Sequence, residues 1–237
     1  AAESLIPSTV ELGGKSPNIV LDDANFEEAI ARGVMHMFSN SGQSCNAPSR
    51  MFVPAARLAE VEEIARNVAG TVVVGDPADA ATQVGPVVSE TQFNKIQGLI
   101  QAGIDEGAKL LVGGTGRPDG LEAGYYVKPT IFSGVNNSMT IAREEIFGPV
   151  LAILPYDTEE EAITMANDTP YGLAGYVQSG DIEHARRVGR RIRAGNIHIN
   201  GSAGGYEVPF GGYKQSGNVR EWGEHGFTDY LEIKAME

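Results

Sequence analysis

The stretch NIVLDDANFEEAIARGVMHMFSNSGQSC, residues 18–45, decides the fold. It opens with a short apolar run between Pro17 and Asp22, which predicts a buried strand, and Asp22 and Asp23 then offer N-caps for a helix. Apolar residues recur at every fourth position of that helix and give it one buried face; they are Phe26, Ile30, Val34 and Phe38. The helix leads into a loop in which Gly42 permits a tight turn and Cys45 is the only cysteine of the chain.

The rest of the chain continues this alternation of strands and helices. Further strands are predicted near residues 51–53, 71–74, 109–112, 126–132, 150–154, 173–178 and 196–200. Pro129 suggests that the strand around it lies at a sheet edge or is irregular. Helices are predicted from residue 58 to Gly70, from the capping box Ser89–Gln92 to about residue 104, from the capping box Thr158–Glu161 to about Asn167, and from Asp181 to about residue 192.

This alternation predicts βαβ units and a largely parallel sheet with helices on both faces. We therefore expect an α/β fold, a three-layer αβα sandwich that forms one domain over residues 1–237. In open parallel sheets the functional loops gather at the carboxyl ends of the strands, so we expect the site there. Five arginines near the end of the last helix suit the negative end of its dipole, and we interpret them as a solvated face rather than an anion site; they are Arg186, Arg187, Arg190, Arg191 and Arg193.

Composition excludes several classes of function. The formal net charge of −13 disfavours both nucleic acid and an anionic membrane surface as partners, because each requires clustered Lys and Arg. No apolar run approaches the length of a membrane span, and the first residues lack the features of a secretory signal, so we expect a cytoplasmic protein. One cysteine and four scattered histidines predict neither an internal disulfide nor a metal site.

Two stretches carry residues that suit catalysis. Cys45 follows the tight turn at Gly42, and Glu11 lies in VELGGKSP, residues 10–17, between apolar neighbours. A thiol and a carboxylate in such settings can act as a nucleophile and a general base. The other interpretation of each residue is an inert buried thiol and a capping or ion-paired surface carboxylate.

These two stretches resemble the glutamate and cysteine motifs of the NAD(P)-dependent aldehyde dehydrogenases. Three further segments resemble that family in the same order, namely EEIFGPV at residues 144–150, PYGLAG at residues 170–175 and PFGGYKQSG at residues 209–217. The resemblance covers nearly the whole chain, and five matching segments in order make it far more specific than a single short motif. It implies that the chain is the catalytic domain of such an enzyme.

The resemblance also implies the chemistry. The Cys45 thiolate would attack an aldehyde, hydride would leave to NAD or NADP, and water activated by Glu11 would hydrolyse the thioester to a carboxylic acid. Cofactor contacts are implied for Leu12, Gln92, Lys95, Glu145 and Phe147, although Gln92 also makes sense as a helix-capping residue. Substrate contacts are implied for Phe38, Ser44 and Phe210.

The resemblance leaves other features of the protein open. With no initiator Met and only ten residues before Glu11, we expect a piece of a longer chain, whose cofactor-binding domain would be joined through residues 1–9 and about 229–237. We expect the isolated piece to be inactive or weakly active, and the intact protein to be a homodimer or homotetramer. Coenzyme-A-acylating relatives and a non-catalytic structural relative are the alternatives. Glu11 argues against acylation and the Cys45–Glu11 pair against a scaffold. The aldehyde itself is not defined by the sequence.

Overall fold

Seven strands form one sheet in the computed structural model, which describes residues 1–237. They are β1 (Pro17–Val20), β2 (Arg50–Pro54), β3 (Lys109–Val112), β4 (Thr130–Ser133), β5 (Val150–Tyr156), β6 (Ala174–Gln178) and β7 (Asn196–Ile199). Their order across the sheet is β3-β4-β5-β2-β1-β6-β7. All neighbours run parallel except β3, which is antiparallel to β4 at one edge. The predicted largely parallel sheet is therefore confirmed.

Six α-helices cover the sheet. They are α1 (Phe26–Phe38), α2 (Leu58–Ala69), α3 (Glu90–Asp105), α4 (Thr140–Arg143), α5 (Glu159–Asn167) and α6 (Ile182–Gly189). Alternate residues of a strand face opposite sides of a sheet, and the core divides accordingly. Val20 and Met51 pack in one buried cluster with α1 and α2, whereas Ile19 and Phe52 pack in another with α3 to α6. The three-layer αβα architecture is confirmed. No helix combines the length and the apolar character that a membrane crossing requires.

Local sequence signals fix most helix starts. The side chains of Ser89, Thr158 and Asp181 accept hydrogen bonds from backbone N–H groups of the first turns of α3, α5 and α6, as their sequence contexts predict. The cap of α1 differs from the prediction. Asn25 rather than Asp22 or Asp23 accepts the hydrogen bond, from the N–H of Glu28, because the helix begins only at the buried Phe26.

One strand prediction is wrong, and so is one of the two alternatives given for the strand around Pro129, namely the sheet edge. Residues 71–74 form no strand, and only Val74 makes a single bridge, to Val84, outside the seven-stranded sheet. The strand after Pro129 does not lie at an edge, because β3 pairs with its other side. Pro129 itself precedes the strand, where its missing N–H removes no ladder hydrogen bond.

The position of the predicted site is also corrected. Glu11, Cys45 and Glu145 each come shortly before a strand, namely β1, β2 and β5, and so lie at the amino ends of the parallel strands rather than at the carboxyl ends. The reason is the path of the chain, because α1 and α4 return it to the amino edge before β2 and β5 begin, and Cys45 and Glu145 lie in these return loops. Glu11 lies in the segment that leads into β1, the first strand.

Candidate active site

Backbone hydrogen bonds hold the Glu11 segment against the residues around Ser216. Glu11 forms an antiparallel bridge with Gly217, and the N–H of Leu12 donates to the carbonyl of Ser216 at 3.0 Å. Gly217 has a φ of 139°, and a side chain there would collide with the carbonyl of Val10. The glycine of the PFGGYKQSG segment is therefore required for the close approach that fixes Glu11.

The hydroxyl of Ser216 ties three loops together at this point. It donates to the carbonyl of Gly13 at 2.7 Å and accepts from the N–H of Gly172 at 2.9 Å. Ser216 is fully buried, so both backbone groups depend on it for their hydrogen bonds. Sequence reasoning included Ser216 in a matching segment without giving it a role.

Cys45 is held at the amino end of β2 by the turn that follows α1. Asn40 and Ser41 have φ values of 52° and 55°, and Gly42 has a φ of 70° with its Cα against the backbone of Gly148. A side chain at Gly42 would overlap that backbone, which explains the glycine and confirms the predicted tight turn. The carbonyl of Cys45 in turn packs against Gly14, so the cysteine and glutamate segments touch through their backbones.

The thiol of Cys45 and the carboxylate of Glu11 face each other. Burial, the charge of Glu11 and contact with Glu11, in that order of size, raise the pKa of the thiol to about 11, while N–H groups of Asn46 and Cys45 act in the opposite direction. Burial also raises the pKa of Glu11, opposed by the contact with Cys45 and reinforced by the charges of Glu221 and Glu145. The carboxylate of Glu11 and the thiol of Cys45 are in contact, but they do not form a hydrogen bond of regular geometry. Oε1 of Glu11 is buried and accepts no hydrogen bond from the protein.

Glu145 lies next to the double glycine that follows Glu11. Its Oε1 accepts a hydrogen bond from the N–H of Gly14 at 3.1 Å, and its carboxylate stands where a side chain of Gly13 would be. Phe147 adopts a left-handed conformation with a φ of 55°. The side chain of Gln92 donates to the carbonyls of Ile146 and Phe147 at 2.9 and 2.8 Å, so it braces the loop of Phe147 rather than capping α3.

The other predicted contact residues are not all brought to this place. Ser44 lines a small cavity with Glu145 and Phe147, and Leu12 is about half exposed. Phe38 is buried in the core under α1 and faces away from solvent. Lys95 is exposed on α3. Phe210 stacks on Trp222, with ring centroids 5.0 Å apart, and pairs through its backbone with Glu221.

Lys15 is a buried ionisable residue that sequence reasoning missed. Its side chain is 1% exposed and its Nζ has no hydrogen-bond partner. Burial, reinforced by the charge of the buried Arg50, lowers the pKa of this amine to about 7. One feature of the sequence could have indicated that Lys15 is buried. It lies between two glycines and a predicted buried strand, where an exposed lysine is unexpected. No group of three or more His, Cys, Asp or Glu side chains is arranged to hold a metal ion.

Comparison with protein families decides the relationship. Residues 1–236 match the profile described as the aldehyde dehydrogenase family. The chain belongs to the aldehyde dehydrogenase family. The facing Cys45 and Glu11 thus lie in the segments that resemble the family's cysteine and glutamate motifs, and the αβα sandwich is the fold of structures from this family.

Individual aldehyde dehydrogenases are similar over the whole chain. A 3-succinoylsemialdehyde-pyridine dehydrogenase of a Pseudomonas species is 57% identical over 236 residues, which cover 100% of this chain and 50% of that protein. The crystal structure of aldehyde dehydrogenase C from Pseudomonas syringae, a mutant complexed with NAD+ and octanal, is 57% identical with a TM-score of 0.98, over 100% of this chain and 49% of that one. A Mycobacterium tuberculosis aldehyde dehydrogenase complexed with NAD+ is 48% identical, with a TM-score of 0.93, over 95% and 47%. The chain thus spans about half the length of the relatives it matches.

Proposed function

We propose that this chain carries the catalytic cysteine and glutamate of an aldehyde dehydrogenase that converts an aldehyde to a carboxylic acid. The observation that supports this most directly is the facing pair of Cys45 and Glu11, each in a matching motif and each with a raised pKa. A thiol that is protonated at neutral pH needs a base before it can attack, and a carboxyl group with a raised pKa is a better base than an ordinary one. Glu11 is the base within reach.

The chemistry follows from these two side chains. Glu11 accepts the proton of the Cys45 thiol, and the sulfur forms a bond to the aldehyde carbon, which gives a thiohemiacetal. The hydrogen on that carbon leaves as hydride, and a thioester to Cys45 remains. Glu11 releases the thiol proton to solvent and then removes a proton from a water molecule, whose oxygen bonds to the thioester carbon while the carbon–sulfur bond breaks and the sulfur takes the proton back from Glu11. A carboxylic acid is released and Cys45 is regenerated.

The residues around Glu145 fit a nicotinamide cofactor. Gly13 leaves the space that the Glu145 carboxylate fills, the N–H of Gly14 donates to that carboxylate, and a carboxylate there can accept hydrogen bonds from ribose hydroxyl groups. Phe147 would lie against the nicotinamide ring, with Leu12, Gln92 and Lys95 as further contacts. When bound, the cofactor supplies the acceptor for the hydride. Two of the similar structures are complexed with NAD+, which favours NAD over NADP.

Two other functions remain as alternatives. A coenzyme-A-acylating enzyme would transfer the acyl group from Cys45 to a thiol, and a base beside the thioester would then promote a wasteful hydrolysis. A non-catalytic scaffold needs neither Cys45 nor Glu11. The facing pair favours hydrolysis over both.

We further propose that residues 1–237 form the catalytic domain of a longer enzyme and that residues 1–9 and about 229–237 join its cofactor-binding domain. This proposal is supported by the lengths of the similar proteins, because the whole of this chain matches only about half of each relative. The isolated chain should therefore produce NADH much more slowly than the intact enzyme. Equal rates would defeat this part of the proposal.

The decisive experiment uses the intact enzyme with propanal and NAD+. Cys45→Ala should abolish NADH formation. Glu11→Gln should lower turnover by roughly 10²-fold or more and leave an acyl group on Cys45 that mass spectrometry detects, because hydrolysis is slowed more than its formation. Steady turnover that requires coenzyme A would instead support the acylating enzyme, and wild-type protein without any turnover would support the scaffold.

A further inference from the structure

The amine of Lys15 is held inside the protein, one residue from the group that fixes Glu145. The side chain of Lys15 is 1% exposed, and its Nζ makes no hydrogen bond. The backbone around it is tied on both sides, because the N–H of Gly14 donates to Glu145 and the carbonyl of Lys15 accepts from Nε of Arg50 at 2.9 Å. Arg50 is itself fully buried. The mechanism proposed above gives this amine no role.

No counter-ion touches the amine. Lys15 takes part in none of the ion pairs of the chain. The cavity that it lines with Ser16 and Tyr171 has a volume of about 10 Å³, which is room for about one water molecule and not for a hydrated ion. A buried amine in such a place favours its neutral form, because nothing replaces the hydration that its charged form loses.

Charged and titratable side chains face Lys15 from several elements. They are Arg50 of β2, Lys95 of α3, Glu144 and Glu145 of the loop between α4 and β5, and Tyr171 and Arg193, which line the same small cavity. Burial, reinforced by Arg50, lowers the pKa of Lys15 to about 7. The two carboxylates oppose this shift, Glu145 more strongly than Glu144. Burial raises the pKa of Tyr171, and the same carboxylates add to this, so the phenol stays uncharged.

Glu145 is the link between the buried amine and a bound cofactor. Its carboxylate is partly exposed, so water screens its charge. A ribose on Glu145 would displace that water and strengthen the attraction between Glu145 and Lys15. Lys15 loses no further hydration in this step, because it is already buried. Binding therefore favours the protonated amine, and the proton comes from solvent.

We propose that Lys15 is a positioning residue, the buried positive charge that holds Glu145 for the cofactor, and that its Nζ takes up a proton from solvent when NADH binds. This inference rests on the proposed function, because it takes Glu145 as the residue that accepts the ribose hydroxyl groups. By linkage, NADH binds more tightly below neutral pH than above it.

The test measures proton uptake directly with the intact enzyme. NADH is the probe, because its nicotinamide ring is uncharged and does not repel an ammonium group. Titration calorimetry at pH 7.5 in HEPES and in Tris, whose ionisation enthalpies differ, should show uptake of roughly half a proton per site in the wild type. The wild-type affinity for NADH should fall by roughly fivefold between pH 6.5 and pH 8.5. Lys15→Met should abolish both the uptake and the dependence of affinity on pH, which a purely structural role of Lys15 would not do.

Two further variants test the link and the specificity of the effect. Glu145→Gln removes the carboxylate and should bind NADH more weakly and without proton uptake, although Lys15 is still present. Lys109→Met is the matched control, because Lys109 is exposed on the edge strand β3, and it should leave the uptake unchanged.

Other outcomes would separate this inference from the proposed function. Uptake that persists in Lys15→Met or in Glu145→Gln would overturn the role of Lys15 and leave the proposed function intact. A wild-type affinity for NADH that is equal at pH 6.5 and pH 8.5 would do the same, and this measurement needs no variant that folds. A wild-type enzyme that neither binds NADH nor oxidises propanal would overturn the proposed function and this inference with it.

Discussion

The carboxylate of Glu145 fills the space that a side chain of residue 13 would occupy. Gly13 is 132 residues away along the chain, and its lack of a side chain leaves room for Glu145. The N–H of the next residue, Gly14, donates a hydrogen bond to the same carboxylate. This relationship joins the glutamate motif to the EEIFGPV segment. It makes the position of Glu145 sensitive to a single added methyl group.

Gly13→Ala should displace Glu145 while the fold remains. The obstructing atoms are the far end of a flexible side chain, so Glu145 can swing away at the cost of its hydrogen bond to Gly14. We expect the KM for NAD+ of the intact enzyme to rise by roughly tenfold, as for one lost hydrogen bond to a charged group. The control is Gly98→Ala, because Gly98 lies exposed in α3 with open space around it and the change should stabilise the helix slightly. An unchanged KM for NAD+ in Gly13→Ala would contradict the assignment of Glu145.

Glu11→Gln should make the thiol of Cys45 more acidic. The carboxylate charge raises the pKa of Cys45, so a neutral amide removes that contribution, while burial still holds the pKa above its ordinary value. The pH dependence of alkylation by iodoacetamide reports only on Cys45, the single cysteine, and its midpoint should lie at lower pH in the variant. A midpoint that stays in place or rises would show that Glu11 does not act on the thiol through its charge.

Ser216→Ala should destabilise the chain more than an ordinary serine substitution. It leaves the carbonyl of Gly13 and the N–H of Gly172 buried without their partner, at about 1–3 kcal/mol for each group. Urea unfolding of the variant measures the loss. Ser138→Ala is the matched control, since the hydroxyl of Ser138 is exposed and bonds only to Asn136. Equal midpoints for the two variants would refute the tethering role of Ser216.

Sequence patterns predicted the elements that depend on local interactions. The buried face of α1 and the caps of α3, α5 and α6 follow from residues within one helical turn, and each was found as expected. Other features depend on pairing between residues that are distant in sequence. These are the position of β1 between β2 and β6, and the pairing of β3 with the strand that follows Pro129. Periodicity contains no information about such pairing, so the edge assignment of Pro129 was wrong.

The candidate site divides in the same way. Cys45 and Glu11 were chosen from their motifs, and the structure places them face to face. The sequence allowed two interpretations of Gln92, as a helix-capping residue and as a cofactor contact. Only the fold shows that its side chain donates to the Phe147 loop. Phe38 follows the apolar period of α1, and that period, rather than its proximity to Cys45, determines where its side chain lies.

His184 should make stability depend on pH. Its ring contacts Glu159 and Asp23, and the contact with Glu159 is the largest cause of its raised pKa. A raised folded-state pKa contributes stability that is fully present below the ordinary histidine value and is lost as the pH rises through the raised value. The pKa of Asp23 is lowered by Ser179 and His184 against its burial, so its contribution is present above the ordinary aspartate value and is lost in acid. Unfolding of His184→Gln in urea should lose the decline on the alkaline side, and an unchanged profile would contradict the contact.

Lys15→Met should stabilise the chain, and the gain should shrink as the pH rises. The folded-state pKa of about 7 lies well below that of a free lysine, so the unfolded chain binds one more proton between these two values and stability rises with pH across that window. Below pH 7 the folded chain holds a buried ammonium without a hydrogen-bond partner, and an apolar side chain of similar length removes that cost. The difference in free energy of unfolding between Lys15→Met and the wild type should therefore be largest at pH 6 and smaller at pH 9, whereas the exposed-lysine control Lys234→Met should show no such trend. A gain that does not change with pH would mean that Lys15 stays charged in the folded protein, with a counter-ion close to its Nζ.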